Sequence, residues 1–237
     1  MKRYLAVGIS AIAVLALMGT IFVARHLGLQ ALTASELASK QLVPPAPPDD
    51  NCNQLQRALA GYPKSKPARS ANPFGTDDMA IYLSVLERWN SGSRGPSNVS
   101  NRTYPIEREI SDCGCLKGIE LQSIANAAKS FRVLTNGLLG GKNIRLVDAG
   151  RQAMIVQDND PGKSMREGVS VPAAVSRAFS TGLFSMSEIA FDKDHRRGLV
   201  SYRFVCGSLC GSGGIWLFEK VDGVWKRSDR TCGAWAS

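Results

Sequence analysis

An uncharged apolar run at the N-terminus constrains this chain more than any other feature. The run extends from Tyr4 to Ala24, which is 21 residues, and Lys2 and Arg3 precede it. A helix that crosses a bilayer needs about 20 apolar residues, whereas the apolar core of a cleaved signal peptide has roughly 7–15. The sequence therefore predicts a retained membrane anchor over residues 1–26, with a cleaved signal segment as the alternative.

The residues that flank the run and the cysteines together predict where the rest of the chain lies. Positive residues before an anchor favour a cytoplasmic N-terminus, so the body would lie outside the cytoplasm. An even number of cysteines in an exported chain indicates disulfide bonds formed in an oxidising compartment. We therefore expect a single-pass membrane protein with a disulfide-bonded extracytoplasmic body. Its six cysteines are Cys52, Cys113, Cys115, Cys206, Cys210 and Cys232.

The overall charge limits the classes of partner. The 237 residues carry a formal net charge of +9, and subtracting Lys2, Arg3 and Arg25 of the anchor leaves 9 − 3 = +6 for the exported part. Nucleic-acid surfaces usually pair basic charge with aromatic side chains, which the basic clusters here do not contain, so nucleic acid is not an expected partner. The expected partners are the membrane, through the N-terminal helix, and anionic components of the envelope. The two basic clusters are Arg57, Lys64, Lys66 and Arg69, and Lys193, His195, Arg196 and Arg197.

Beyond the anchor, the sequence divides into three parts. Seven of the 11 prolines lie between Pro44 and Pro73, so residues 27–73 are predicted to form a Pro-rich tether. Residues 74–182 show mainly helical periodicity, and residues 183–237 show the alternation of an antiparallel β-sheet. The predicted fold is α+β, with an N-terminal transmembrane helix, a helical part and a C-terminal antiparallel meander, the last two packed as one domain.

The helical part has four segments in which apolar residues recur at helical spacing, namely from Thr76 to Gly92, from Gly118 to Asn136, from Asn143 to Gln157 and from Val171 to about Gly182. Thr76 is predicted to be an N-cap, because acidic residues follow it. Pro172 suits the first turn of the last helix. The polar stretch between residues 91 and 103 contains two glycosylation sequons, which begin at Asn98 and Asn101, and we interpret it as a surface loop.

One strong turn in the sheet part predicts a register. Asp222-Gly223 between apolar runs is typical of a two-residue hairpin turn, which places Val221 opposite Val224. Counting outward along the four-stranded meander then places Gly213 opposite Cys232. This register would bring three cysteines together at one edge of the sheet, namely Cys206, Cys210 and Cys232.

The cysteines also give a rule of parity and a redox alternative. Three cysteines precede the sheet and three lie in it, so complete oxidation within one chain requires at least one bridge between the two halves. A bridge inside Cys113-Gly114-Cys115 would be strained and oxidising, as in a thiol-disulfide exchanger, but structural staples are the favoured use of these cysteines. A zinc site would draw on Cys113, Cys115, Cys206 and Cys210. Because that spacing is not typical of zinc modules, no metal or other cofactor is expected.

No residue pattern specifies a catalytic reaction. Gly162-Lys163-Ser164 lacks the first glycine of a P-loop and is expected to be a loop. His195 lies in a charged turn without a neighbouring nucleophile, which favours a solvated histidine over a general base. No catalytic residue is therefore predicted, and whether the protein is an enzyme stays open, with a non-enzymatic role favoured.

Two further groups of residues have both a functional and a structural interpretation. Acidic residues in polar turns could bind a cation, but they more often serve the backbone. Tryptophans in a sheet either line a ligand groove or form its core, and the core is the favoured interpretation. The acids are Asp158, Asp160, Asp192 and Asp194, and the tryptophans are Trp216, Trp225 and Trp235.

The C-terminal hairpins contain a distinctive set of sequence segments. They are Ser187 to Phe191, Tyr202 to Phe204, Cys206 to Gly211, Leu217 to Lys220, Asp222 to Lys226 and Trp235 to Ser237. Through these segments, and above all through the C-G-x-L-C-G hairpin, about the last fifty residues resemble the C-terminal hairpins of uncharacterised bacterial exported proteins. The resemblance implies a bacterial source and an envelope location but no activity.

We therefore expect a membrane-tethered binding or structural module of the bacterial cell envelope, a single-pass protein of the inner membrane with its body in the periplasm. A thiol-disulfide redox protein that uses Cys113 and Cys115 is the alternative, and an envelope hydrolase is the third possibility.

Overall fold

The computed structural model describes residues 66–91, 97–106, 110, 112–135, 143–208 and 210–237. The predicted anchor and nearly all of the predicted tether, including Cys52, lie outside these residues. Within these ranges, no helix is both long and apolar enough to cross a membrane.

The described chain alternates short strands and helices before it enters three long strands. Residues Cys113–Leu116 form a 3₁₀ helix. The other elements, in chain order, are β1 (Ala68–Arg69), α1 (Thr76–Asn90), β2 (Ser97–Ser100), α2 (Leu121–Ala127), β3 (Ser130–Phe131), β4 (Ile144–Val147), α3 (Ala149–Asp158), α4 (Pro161–Arg166), α5 (Val171–Thr181), β5 (Leu183–Met186), β6 (Ala190–Phe191), β7 (Arg197–Gly207), β8 (Cys210–Val221) and β9 (Val224–Ala236).

A seven-stranded sheet organises the fold. Its strand order is β4-β2-β5-β7-β8-β9, with β6 also paired to β7, and β1 and β3 form a separate parallel pair. Strand β2 is parallel to both β4 and β5, whereas the pairs β5–β7, β7–β8 and β8–β9 are antiparallel. The predicted α+β class with a mostly antiparallel C-terminal sheet is confirmed. The meander begins with β5 at Leu183, and its sheet also includes β2 and β4, which come from the part predicted to be helical.

Two of the four predicted helices are correct in position and two are not. Helix α1 begins at Thr76 as expected, although Gly75 is its N-cap, and α5 begins at Val171. The second predicted helix ends at Ala127, because the chain turns there and enters β3. The third begins only at Ala149, because residues 144–147 pair with β2 as a strand and Asp148 caps the helix by accepting a hydrogen bond from the amide of Arg151.

The sequon residue Asn98 lies in the interior of the sheet, which corrects the prediction of a surface loop. Asn98 belongs to β2 and is 2% exposed. Its side-chain amide donates to the carbonyls of Ser180 and Gly182, both at 3.1 Å, and its carbonyl oxygen accepts from Arg145. A polar side chain is tolerated here because the surrounding backbone satisfies its hydrogen bonds.

Helices cover the two faces of the sheet unequally. Side chains alternate between faces along a strand. On β7, Val200 and Phe204 point to one face, where they pack with α1 and with Ala178 of α5. Leu199 points to the opposite face, where it packs with Ile124 of α2 and with the 3₁₀ helix. The 3₁₀ helix and α2 cover one end of this second face, and α3 and α4 flank its other end, where the site described below is formed.

The register of the last hairpin is correct at its turn and wrong further out. Val221 pairs with Val224 as predicted. Phe218 pairs with Arg227, and Ile215 pairs with Gly233. These two pairs are three residues apart along β8 but six residues apart along β9, so β9 has three extra residues that bulge out of the pairing. Gly213 therefore lies opposite Trp235 instead of Cys232. For the same reason Cys232 does not join Cys206 and Cys210 at one edge.

Two disulfides involve four of the six cysteines. Cys115 is bonded to Cys232, 117 residues away, and this bridge links the two halves as the odd counts require. Cys206 is bonded to Cys210, four residues away, across the tip of the β7–β8 hairpin. A bridge between Cys113 and Cys115 is therefore not formed in this structure, and the four-cysteine zinc set is not assembled. The side chain of Cys113, like Cys52, lies outside what the structure describes.

Candidate ligand-binding cleft

The open end of the second sheet face forms the floor of a cleft. Leu183 pairs with Val205 and Ser185 with Arg203 between β5 and β7. These four side chains share the face opposite α1, because their neighbour Phe204 is buried against α1. The floor is therefore half apolar and carries one cation.

Helices α3 and α4 wall this floor and enclose a cavity of about 690 Å³. Ala153 and Val156 of α3 extend the apolar surface. Lys163 and Arg166 of α4 line the cavity from the same side as the hairpin tip, which contributes Gly207 and Ser208. The cavity is large enough for a small ligand, and its apolar lining carries a few polar groups, which is typical of binding sites.

A hydrogen-bonded clamp holds the hairpin tip against α4. The Asp160 carboxylate accepts from the backbone amide of Ser208 at 2.6 Å and from its hydroxyl at 2.8 Å, and it also accepts from the amide of Lys163 at 3.0 Å. These bonds, the Ser208 amide first, lower the pKa of Asp160 to about 2. Gly207 has a φ of +145°, and a Cβ there would lie 2.5 Å from Cδ of Pro161. Glycine is therefore required where the tip meets the helix.

The charges around the cleft favour an anion. Lys163, Arg166 and Arg203 are exposed, and none of them forms a salt bridge within the described chain. Asp160 is the one acid among the described lining residues, and its oxygens already accept the hydrogen bonds above. Three unpaired cations beside a half-apolar floor produce a positive potential that attracts an anionic ligand.

A second cavity continues the cleft on the far side of Arg203. It has a volume of about 460 Å³ and shares Ala153, Leu183, Ser185 and Arg203 with the first. The Arg203 guanidinium carbon lies 4.3 Å from the centroid of the Tyr104 ring. We call the two cavities together the basic groove. Because Arg203 lies where the cavities meet, it can contact a ligand in either one. The other cations that line the second cavity are Lys66 and Arg102.

A buried ionic cluster elsewhere has a structural role. An Arg132 Nη atom lies 2.8 Å from an Asp78 carboxylate oxygen, and its Nε donates to Glu188 at 2.8 Å. Thr103 also donates to Glu188, and the Arg132 guanidinium lies over the ring of Phe74. Burial lowers the pKa of Arg132, but the hydrogen bonds to the two carboxylates raise it further, so its net pKa lies above its ordinary value. Since the guanidinium and both carboxylates already bind one another, this cluster offers little to a ligand.

The structure also places the residues that the sequence singled out. His195 has a 62% exposed side chain that stacks on Phe191, and its Nδ1 lies 4.0 Å from Asp77. Asp192 accepts from the backbone amides of Arg196 and Arg197, so it serves the backbone as expected. Residues 162–164 lie in α4, which corrects the prediction of a loop; the Asp160 cap and a proline in the first turn start this helix.

The three tryptophans divide between core and surface. Trp225 is buried, and its indole donates a hydrogen bond to Asp77 at 2.9 Å. The hydrogen bond from Lys220, followed by this bond from Trp225, lowers the pKa of the Asp77 carboxyl. Trp216 is partly buried against the core. Trp235 is 40% exposed. The core interpretation therefore holds for the first two tryptophans and not for Trp235.

The chain matches no known family model, no curated protein and no solved structure. The resemblance of its last fifty residues to bacterial exported proteins stays a prediction. Reasoning from the sequence missed Arg203 and Arg166. Arg203 could have been noticed as a charge between Tyr202 and Phe204 in an apolar strand, but only the fold shows that α4 faces it.

Proposed function

We propose that this protein is a binding module of the bacterial cell envelope that captures an anionic ligand in the basic groove. In this proposal the N-terminal helix over residues 1–26 tethers the protein to the inner membrane, and the body lies in the periplasm. The observation that carries the binding function is the set of three unpaired cations, Lys163, Arg166 and Arg203, around a half-apolar floor.

The groove favours an elongated ligand with acidic groups on an otherwise uncharged frame. Arginine binds carboxylate and phosphate groups through two parallel hydrogen bonds, and lysine adds a point charge. Arg203 lies at the junction of the two cavities, so a ligand that reaches both would contact it at its centre. The apolar floor would cover the frame of the ligand, and the cations would bind its acidic groups.

Two other functions receive less support from the same residues. A hydrolase needs a base whose pKa is close to the working pH. Asp160 contacts the hydroxyl of Ser208 in the groove, but its pKa of about 2 makes it a weak base. The redox function needs a reactive pair at Cys113 and Cys115, and Cys115 is bonded to Cys232.

Binding of acidic oligomers to the full chain in mild detergent tests the proposal. The probes are hexagalacturonate and hexaglutamate, with neutral maltohexaose as the control ligand, measured by calorimetry at physiological salt. The triple variant Lys163→Gln, Arg166→Gln and Arg203→Gln should lose at least tenfold in affinity for the acidic probes.

A matched variant removes the same charge elsewhere. Lys193, Arg196 and Lys226 are exposed, line no part of the basic groove and form no described salt bridge. Their triple replacement by Gln should leave affinity within about twofold, because the net charge alone is not what binds. Equal losses in the two triple variants, or no binding of either acidic probe, would refute the proposal.

A further inference from the structure

An exposed tryptophan lies beside the basic groove on the same face of the sheet. Arg203 pairs with Gly213 between β7 and β8, and Gly213 pairs with Trp235 between β8 and β9. These three residues form one row across three strands. Since neighbouring strands are about 4.8 Å apart, Arg203 and Trp235 are separated by about 10 Å along the row, with only a glycine between them.

The indole of Trp235 lies over the glycines of β8. A Cβ at Gly213 would be 2.5 Å from the indole Nε1, and a Cβ at Gly211 would be 3.2 Å from Cζ3. The Cβ of Gly213 would point to the face that carries Arg203, because the two residues are register partners. The indole therefore lies on the groove side of the sheet. At 40% exposure, part of its ring remains open to a ligand.

We propose that the ligand of the basic groove is an acidic carbohydrate chain, in which one sugar ring stacks on Trp235 and a carboxylate binds Arg203. This inference rests on the proposed anion-binding function and specifies its ligand class. The C–H-rich face of a sugar ring is apolar and flat, so it buries well against an indole. The carboxylate of an acidic sugar matches the planar guanidinium.

The absence of a side chain at Gly213 is part of this site. Any larger residue there would occupy the space between the indole and Arg203, and it would push the indole away from its position. With glycine, a shelf about two strand spacings wide connects the aromatic surface to the cation. A ring on the indole can then extend an acidic neighbour toward Arg203 without an intervening obstacle.

An anionic nucleic acid is the competing macromolecule, and the described groove fits it less well. Single-stranded nucleic acids are usually bound by several aromatic side chains that stack on successive bases. The two aromatic residues that line the described groove, Tyr104 and Phe131, each lie beneath an arginine guanidinium, so Trp235, next to this lining, is the aromatic surface beside Arg203 that stays open. Oligothymidylate is therefore included as a probe whose tight binding would count against the inference.

The test compares acidic sugar with acidic peptide in the full chain in mild detergent. Trp235→Ala should weaken hexagalacturonate binding about tenfold and leave hexaglutamate binding unchanged, because only the sugar has a ring to stack. Trp235→Phe should retain most of the affinity while losing the change in tryptophan fluorescence on binding. Phe179→Ala is the matched control, because Phe179 is also an exposed aromatic residue but packs against Phe204 on the opposite face of the sheet.

The outcomes separate this inference from the proposed function. If Trp235→Ala leaves hexagalacturonate binding unchanged while the triple groove variant abolishes it, anion binding stands and the carbohydrate inference is wrong. Equal binding of hexaglutamate and hexagalacturonate, or tighter binding of oligothymidylate, also overturns the inference. If no acidic probe binds, both proposals fail. Should Trp235→Ala not fold, Gly213→Ala, which displaces the indole, gives the same comparison.

Discussion

The Cys115–Cys232 disulfide should contribute far more to stability than the Cys206–Cys210 disulfide. The perturbation is the removal of each pair by double substitution with alanine. All four cysteines are nearly or fully buried, so the cost of replacing a buried sulfur should be similar in the two variants. The difference between the variants then reports mainly on the loops that the bridges close.

The lengths of the two loops set the expected magnitude. The bridges span sequence separations of 117 and 4 residues. In the chain-entropy model, the restriction of the unfolded chain grows with the logarithm of loop length, which gives about 5 kcal/mol for the long loop and about 2 kcal/mol for the short one. The variant without the long-range bridge should therefore be less stable than the other by about 3 kcal/mol.

Urea unfolding of the full chain in mild detergent, followed by tryptophan fluorescence, measures this difference. Removal of the long-range bridge should also raise the m-value, because the unfolded chain without this cross-link is less compact and exposes more surface, whereas removal of the hairpin bridge should leave the m-value nearly unchanged. Equal losses of stability, or a larger loss for the hairpin variant, would refute the entropic reasoning. Such a result would indicate that native contacts around the hairpin tip, and not the restriction of the unfolded chain, provide the stabilisation.

Three further predictions concern single residues. Arg132→Met leaves two buried carboxylates unpaired and should lower the free energy of unfolding in urea by on the order of 3–5 kcal/mol. Glu188→Gln keeps a hydrogen-bonding side chain and should lower it by less. Equal losses in the two variants would contradict this reasoning. Gly182→Ala should cost on the order of 1–3 kcal/mol, because a Cβ there would lie 2.3 Å from the buried ring of Phe204, and an unchanged melting temperature would argue against that contact. The pKa of Asp160 is depressed, so its hydrogen bonds to Ser208 should be fully formed above the ordinary pKa of aspartate and be lost as the pH falls through about 2. An NMR titration midpoint near 4 for the Asp160 carboxyl would disprove this clamp.

The parts of the fold that were predictable from sequence are those with strong local signals. Helix α1 is amphipathic and begins with acidic residues, and the Asp222-Gly223 turn has positive φ at both residues, so neighbouring residues alone specify them. Strand β4 was less readable, because its Ile-Arg-Leu-Val sequence is also compatible with a helix and only pairing to β2 decides between them. The bulges of β9 lie between Arg227 and Gly233, beyond the turn, so the residues of the turn do not specify them.

The candidate site was harder to predict than the fold, because its residues come from three separate elements. Lys163 and Arg166 lie on α4, Arg203 lies on β7 and Trp235 on β9, and each is an ordinary exposed residue in its own segment. They form a site only because they surround the open end of one sheet face. No spacing along the chain expresses which sheet face a helix leaves uncovered.

The glycine positions of the C-G-x-L-C-G hairpin now have a physical explanation that connects the fold to the groove. Gly207 allows the tip to approach Pro161 closely, where Asp160 clamps Ser208 and fixes one wall of the groove. Gly211 allows the indole of Trp235 to lie across β8. The Cys206–Cys210 bridge holds the two strand ends between these contacts. The hairpin therefore shapes the groove without supplying a reactive group, and substitutions at its glycines should impair ligand binding before they unfold the sheet.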